Sequence, residues 1–140
     1  MSVLCHRILL VLLGIVILSS CASPPEKSPP PKLPPLGAGE QLLAKGITSY
    51  EEGQYNSAAK SLQAAISAGL QLKSDRAKAH KYLAFIACGS DNTKRCQDEF
   101  RRAFEADPTF TLDPAEAGHP VWDPIYRQVR DQMKSKKKTP

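Results

Sequence analysis

The distribution of apolar residues divides the chain into three regions. Ile8–Leu18 is an unbroken apolar run, and residues 22–39 contain seven of the twelve prolines. From Glu40 onward, apolar residues recur every three or four positions, which is typical of helices with one buried face. The pattern therefore predicts an all-α domain over residues 40–134, after a targeting segment and a linker and before a basic tail at 135–140.

Four helices are predicted in the first part of this domain, and they form two pairs. The first begins at Glu40 and ends near Gly53, and the second begins at Asn56 and ends at Gly69. The third begins at Ser74 or Asp75 and ends at Gly89, and the fourth begins at Asn92 or Thr93 and ends at Asp107-Pro108. Their apolar faces consist of Leu42, Leu43, Gly46, Ile47 and Tyr50; Ala58, Ala59, Leu62, Ala65 and Ile66; Ala79, Tyr82, Leu83, Phe85 and Ile86; and Cys96, Phe100, Ala103 and Phe104.

The two pairs share a spacing that resembles the tetratricopeptide repeat, which has small residues where the helices of a hairpin touch. Gly46 and Ala84 hold the small position of the first helix in each pair, 38 residues apart. We expect Gly46 to face Ala58 and Ala84 to face Cys96. A non-repeat helical bundle is the alternative, but it does not require small residues at matching offsets.

The C-terminal part of the domain predicts a cap, because each repeat leaves an apolar face uncovered. Asp113–Glu116 has the pattern of a capped turn in which the glutamate returns a hydrogen bond. A last helix starts at Asp123-Pro124, and we expect it to cover the second repeat with one face, made of Trp122, Ile125, Tyr126, Val129 and Met133. The alternative is that Trp122 and Tyr126 are exposed and bind a partner.

The N-terminal region predicts a secreted, lipid-anchored protein. Arg7 and the eleven apolar residues of Ile8–Leu18 suit a signal peptide, since they are too few for a comfortable bilayer span. Residues 18–21 (LSSC) resemble the lipobox of bacterial lipoproteins, which implies a signal peptide at 1–20 and acylation of Cys21. With Ala22 next, the resemblance implies the outer membrane, with the domain in the periplasm. An ordinary signal with an incidental cysteine is the alternative.

The linker at 21–39 is rich in proline and favours an extended polyproline II conformation. At about 3.1 Å per residue, it would hold the domain up to about 55 Å from the bilayer. A second interpretation is that this segment is a ligand for another domain.

The net charge and the absence of known motifs argue against several classes of function. The formal net charge is +5, and four lysines lie in the last seven residues, so the predicted domain is nearly neutral. No basic stripe with interleaved aromatic residues indicates nucleic-acid binding. There is no nucleophile elbow, phosphate-binding glycine loop or metal-ligand spacing, so we expect no catalysis, cofactor or metal. The basic tail is either a solvated terminus or a contact for anionic lipid or an acidic partner.

Two cysteines remain in the predicted domain. Cys88 lies near the end of the third helix and Cys96 lies in the first turn of the fourth, so a tight hairpin would bring them together. In an oxidising periplasm we expect a disulfide, with two buried thiols as the alternative.

Residues 79–88 (AHKYLAFIAC) and 96–130 together resemble the TssQ-type lipoproteins associated with type VI secretion. The similarity covers about residues 40–131, including the turn at 113–120 (DPAEAGHP). It implies an accessory envelope component that binds another component of a contractile secretion machine. A pilotin or assembly lipoprotein for a pilus or secretin, and an adaptor of peptidoglycan-acting enzymes, are the alternatives.

The repeat resemblance also implies a binding surface, because the first helices of tetratricopeptide hairpins line a concave groove. The groove residues predicted here are Leu43, Ile47, Tyr50, Lys78, Lys81 and Phe85. Apolar centres beside two lysines suit an extended peptide with an acidic group. The alternative is that these residues form a solvated helix face.

Overall fold

The structure, a computed structural model, describes residues 36–138. This part of the chain contains five helices. They are α1 (Ala38–Glu51), α2 (Tyr55–Ala68), α3 (Lys73–Gly89), α4 (Thr93–Ala106) and α5 (Asp123–Lys138). No strand occurs among the described residues, so the predicted all-α class is confirmed. The predicted signal peptide, the lipidation site Cys21 and the linker up to residue 35 lie outside the described residues.

The helices pack as two hairpins with one added helix. α1 packs against α2, α3 packs against α4, and α2 and α1 both contact α3, so the second hairpin stacks on the first. α5 packs against α4. This is the predicted arrangement of two tetratricopeptide-like hairpins and a C-terminal helix.

The helix ends follow the sequence signals in part. Gly69 follows α2 with a positive φ of 87°, and the Asn92 side chain accepts a hydrogen bond of 3.1 Å from the Arg95 N–H at the start of α4, as expected for a cap. The predicted caps of the other two helices are wrong. Asn56 lies inside α2, and Ser74 and Asp75 both lie inside α3, because backbone turns start both helices earlier.

Backbone hydrogen bonds explain these earlier starts. Before α2, the Gln54 N–H donates to the Ser49 carbonyl at 2.8 Å, in a turn that includes Gly53 with a φ of 75°. Before α3, the Leu72 carbonyl accepts from the N–H groups of Asp75 and Arg76 at 3.1 and 3.2 Å. The chain direction is therefore set without a side-chain cap.

Two apolar clusters form the core. One lies in and between the hairpins and includes Leu43, Leu62 and Leu83. The other lies between the second hairpin and α5, where Tyr126 and Val129 are 5% and 1% exposed. The prediction that the last helix covers the second repeat is therefore confirmed.

The close approach in the first hairpin is present, and the nearest atoms belong to Leu62. A Cβ on Gly46 would lie 2.7 Å from Leu62 Cγ, so Leu62, and not the predicted Ala58, is the residue nearest to Gly46. Ala84 and Cys96 lie in one cluster, both fully buried.

Candidate protein-binding surface

The six predicted groove residues do not form one open surface. Leu43, Lys81 and Phe85 are buried, with 5%, 5% and 3% of their surface exposed. Ile47 and Tyr50 are half-buried, and only Lys78 is exposed. The expectation of an open groove over both repeats is therefore wrong for α3, where the protein's own chain covers the helix face.

The segment between α4 and α5 supplies this cover through an ion-paired contact. Lys81 Nζ donates to Asp113 Oδ2 at 3.1 Å and to Glu116 Oε1 at 2.5 Å. We call these three residues the lysine latch. Burial alone lowers the pKa of Lys81, but the hydrogen bonds to Glu116 and Asp113 outweigh it, so the pKa lies above its ordinary value of 10.5. Lys81 is therefore a charged group with its partners in place.

The turn at Asp113–Glu116 prepares the latch. Glu116 and Ala117 donate their backbone N–H groups to the Asp113 carbonyl at 2.9 and 3.0 Å. The Asp113 N–H in turn donates to Glu116 Oε2 at 3.0 Å, which confirms the predicted reciprocal hydrogen bond. Glu116 thus closes its turn with one carboxylate oxygen and binds Lys81 with the other.

Aromatic stacking continues this cover toward the end of α3. Trp122 stacks on Phe85 with ring centroids 4.3 Å apart and on His119 at 3.4 Å. Its indole N–H donates to the Glu116 carbonyl at 3.1 Å. The sequence suggested that Lys81 and Phe85 would receive an acidic partner peptide. Instead, residues 113–122 of the same chain contact Lys81 and Phe85.

Lys78, the second predicted groove lysine, has a different environment. Its side chain is 49% exposed, and its ammonium lies 4.0 Å from Asp75 Oδ1, one turn earlier on α3. Exposed pairs of this kind contribute at most about 1 kcal/mol. Lys78 is therefore free to contact a partner at little cost to the fold.

An open cleft remains at the end of the first hairpin, beside the ends of α1 and α3. We call it the aromatic cleft. It has a volume of about 150 Å³ and is lined by Tyr50, Tyr55, Phe85, Ile86, Gly89, Ser90 and Trp122. Tyr55 is 53% exposed, and its ring centroid lies 5.5 Å from that of Tyr50. Burial, followed by the effects of Tyr55, Tyr82 and Glu116, raises the pKa of Tyr50 to about 12, so its hydroxyl is neutral at physiological pH.

Tyr55 was not among the predicted groove residues. Its position in the sequence could have indicated its exposure, since a tyrosine directly after the Gly53 turn has no neighbouring helix to bury it. Trp122 was assigned correctly to the cap. Trp122 and Tyr50 line the same cleft because the two hairpins stack on each other, and the sequence alone does not predict how they stack.

A largely buried histidine–glutamate contact lies on the other side of the second hairpin. His80 Nδ1 is 2.8 Å from Glu99 Oε2, and Glu99 is 4% exposed. Arg102 lies 3.5 Å and Arg95 3.9 Å from the same carboxylate, beside a cleft of about 410 Å³. Glu99 is thus surrounded by three partners, His80, Arg95 and Arg102, and the sequence analysis assigned no contact to His80.

Cys88 and Cys96 lie at disulfide distance, with their Cα atoms 5.1 Å apart. Both side chains are buried between the end of α3 and the start of α4. The hairpin geometry expected from the sequence is therefore present.

Comparisons with protein-family models, curated proteins and solved structures each give no match to this chain. The resemblance to TssQ-type lipoproteins accordingly stays a prediction. The fold defines the class of the protein as all-α, with two tetratricopeptide-like hairpins, and the protein's own chain covers part of the predicted groove at α3. Within residues 36–138, no helix has the length and apolar character needed to cross a bilayer.

Proposed function

We propose that this protein is a non-enzymatic, protein-binding scaffold that uses the aromatic cleft beside the ends of α1 and α3. The observation that carries the proposal is the aromatic cleft, where Tyr55 is 53% exposed next to the half-buried Tyr50 and Trp122. Tyrosine and tryptophan with a wet and a buried side are the residues that most often dominate the energy of protein interfaces. Lys78 of α3 is an exposed cation.

The cellular setting is part of the proposal and rests on the sequence resemblances. The lipobox at residues 18–21 favours acylation of Cys21 and attachment to the outer membrane, with the domain in the periplasm. Two or more acyl chains anchor a protein stably, whereas one binds marginally. Residues 22–140, exported behind an ordinary cleavable signal peptide without a lipobox, should enter the soluble periplasmic fraction. Retention of this variant in the membrane would contradict lipid anchoring.

The partner that the resemblance favours is a component of a type VI secretion system. A photo-crosslinking amino acid at Tyr55 in intact cells tests both the surface and the partner. The matched control is Glu105, an exposed residue of α4 that does not line the cleft. A crosslink to a secretion component from position 55 and none from 105 is the expected result. Equal crosslinking from both positions would contradict the assigned surface.

The same experiment separates the alternative functions. A crosslink from position 55 to a pilus or secretin component would replace the secretion assignment with a pilotin role. A crosslink to a murein hydrolase would indicate an adaptor of peptidoglycan-acting enzymes.

We also propose that Cys88 and Cys96 are bonded in the periplasm. Their Cα separation of 5.1 Å lies within the range of disulfides. Thiol labelling of denatured, unreduced protein, carried out on residues 22–140 exported behind an ordinary signal peptide, should find no reactive thiol, since Cys88 and Cys96 are the only cysteines of that segment. Two labelled thiols would contradict the bond.

A further inference from the structure

The cleft beside Glu99 lies where three helices meet. Its lining includes Gln63 of α2, His80 of α3, and Arg95 and Arg102 of α4. We call it the arginine cleft. Its volume of about 410 Å³ falls within the roughly 300–1,000 Å³ of pockets that hold small ligands. It shares no lining residue with the aromatic cleft, so the proposed function gives it no role.

The two arginines of this cleft are held beside a carboxylate that does not saturate them. Arg95 Nε lies 3.9 Å and Arg102 Nη1 lies 3.5 Å from Glu99 Oε1. Both distances exceed the about 2.7–3.2 Å of an N–H···O hydrogen bond. The two side chains are 46% and 60% exposed, so a ligand in the cleft can reach their N–H donors.

Glu99 itself cannot move away to a different partner without loss. It is buried, and its other oxygen, Oε2, lies 2.8 Å from His80 Nδ1. Arg95 and Arg102 lie four residues before and three residues after Glu99, so all three side chains share one face of α4. The buried carboxylate therefore keeps both guanidinium groups beside the same cleft.

The charges of this network leave a positive excess. Asp98, the other carboxylate of the lining, is bound by Arg101 at 2.7 Å. Three arginines are thus associated with the two carboxylates of Asp98 and Glu99. One positive charge is left over while His80 is neutral, and a ligand with one negative charge would balance it.

The rest of the lining favours a carboxylate on a short alkyl stem. The buried Leu83 and the half-buried Ile66 supply apolar surface, and Gln63 and Ser67 supply neutral hydrogen-bonding groups. The planar fork of a guanidinium matches a carboxylate in bidentate geometry. A phosphate dianion also matches the fork, but its second negative charge exceeds the positive excess next to Glu99.

We propose that the arginine cleft is a carboxylate-binding site, separate from the aromatic cleft and independent of the proposed function. Arg95 and Arg102 bind the carboxylate, and Ile66 and Leu83 contact the alkyl stem. A free aliphatic acid and a glutamate side chain of another protein both carry this group, and the test distinguishes them.

A carboxylate and its neutral isostere test the site on the unaltered residues. The probes are sodium butyrate and butyramide, added at constant ionic strength to residues 22–140. The NMR signals of the Nε–H groups of Arg95 and Arg102 report the site, and that of Arg127 on α5 is the internal control. The expected result is a saturable shift with butyrate at positions 95 and 102 only. No shift, or an equal shift with butyramide, would overturn the proposal, and so would tighter binding of inorganic phosphate than of butyrate.

Two arginine variants locate the site. Arg102→Gln should weaken butyrate binding about two- to five-fold, as expected for the loss of one exposed ion pair. The matched control is Arg127→Gln, which removes the same charge from a side chain that is 61% exposed, against 60% for Arg102, and is not among the lining residues. It should leave binding unchanged. Equal weakening by both variants would show an effect of net charge alone and would overturn the site.

Peptides identify the source of the carboxylate. The probes are acetyl-SESES-amide and acetyl-SQSQS-amide, which differ only in the charge of two side chains. If the glutamate peptide binds at least as tightly as butyrate, the site takes a segment of another protein. If butyrate binds and the glutamate peptide does not, the ligand is a free aliphatic acid. Equal binding of the two peptides would overturn the charge requirement.

Discussion

The two lysines that the sequence assigned to one groove should have very different effects on stability. The test is Lys81→Met against Lys78→Met, two substitutions of the same kind, three residues apart on α3. Methionine keeps the apolar stem in place and removes the charge, so the comparison isolates the ion pairs. We expect Lys81→Met to be clearly destabilising and Lys78→Met to be nearly neutral.

The magnitude follows from the exposure of the partners. A hydrogen bond to a charged group contributes about 1.5–3 kcal/mol when it is protected from water. The side chain of Asp113 is 72% exposed, so its share is screened, whereas that of Glu116 is 18% exposed and that of Lys81 is 6% exposed. Counting Glu116 alone gives a loss of about 2 kcal/mol for Lys81→Met. Lys78, at 4.0 Å from Asp75 and 49% exposed, should lose less than about 0.5 kcal/mol.

Urea and thermal unfolding followed by circular dichroism measure both variants. For a domain of this size, about 2 kcal/mol corresponds to a decrease in Tm of roughly 8–16 °C. The pKa of Lys81 is raised in the folded state, so its stabilisation is complete below the unfolded pKa and is lost as the pH rises through the folded one. The difference between the wild type and Lys81→Met should therefore persist at neutral pH and shrink above about pH 10.5. Equal stability of the two variants would refute the latch.

Two further predictions concern packing and caps, and denaturant unfolding measures both. Gly46→Ala should destabilise the fold by about 1–2 kcal/mol, because the new Cβ would lie 2.7 Å from the Cγ of the fully buried Leu62 and overpacking exceeds the gain in helix propensity. Asn92→Ala should cost about 1 kcal/mol through the loss of its cap at α4, whereas Ser74→Ala, at a predicted cap that makes no such bond, should be silent.

The matched control for Gly46 is Gly89→Ala, since a Cβ at that position meets no atom within 4 Å. This variant should be as stable as the wild type or slightly more stable. Equal destabilisation of both glycine variants would show that backbone freedom and not the Leu62 contact explains Gly46. A loss of stability in Ser74→Ala equal to that in Asn92→Ala would contradict the cap assignment.

The apolar spacing determined the helices and most of the core. Leu62, Phe100 and Val129 follow the helical period and are almost completely buried in the structure. Such positions are predictable because a helix must bury one face, and the period fixes which residues share that face. Local chemistry also fixed the Asn92 cap and the return hydrogen bond of Glu116, since both depend on residues three positions apart.

Only the tertiary structure decided which groove residues are accessible. Lys78 and Lys81 look alike in the sequence, yet one is solvated and the other is buried beneath residues that lie 32 and 35 positions further along the chain. Likewise, Tyr55 and Trp122 line one cleft although they belong to different parts of the chain. Periodicity fixes which residues of a helix point the same way. It does not fix which later segment packs against them, because that depends on long-range contacts between side chains.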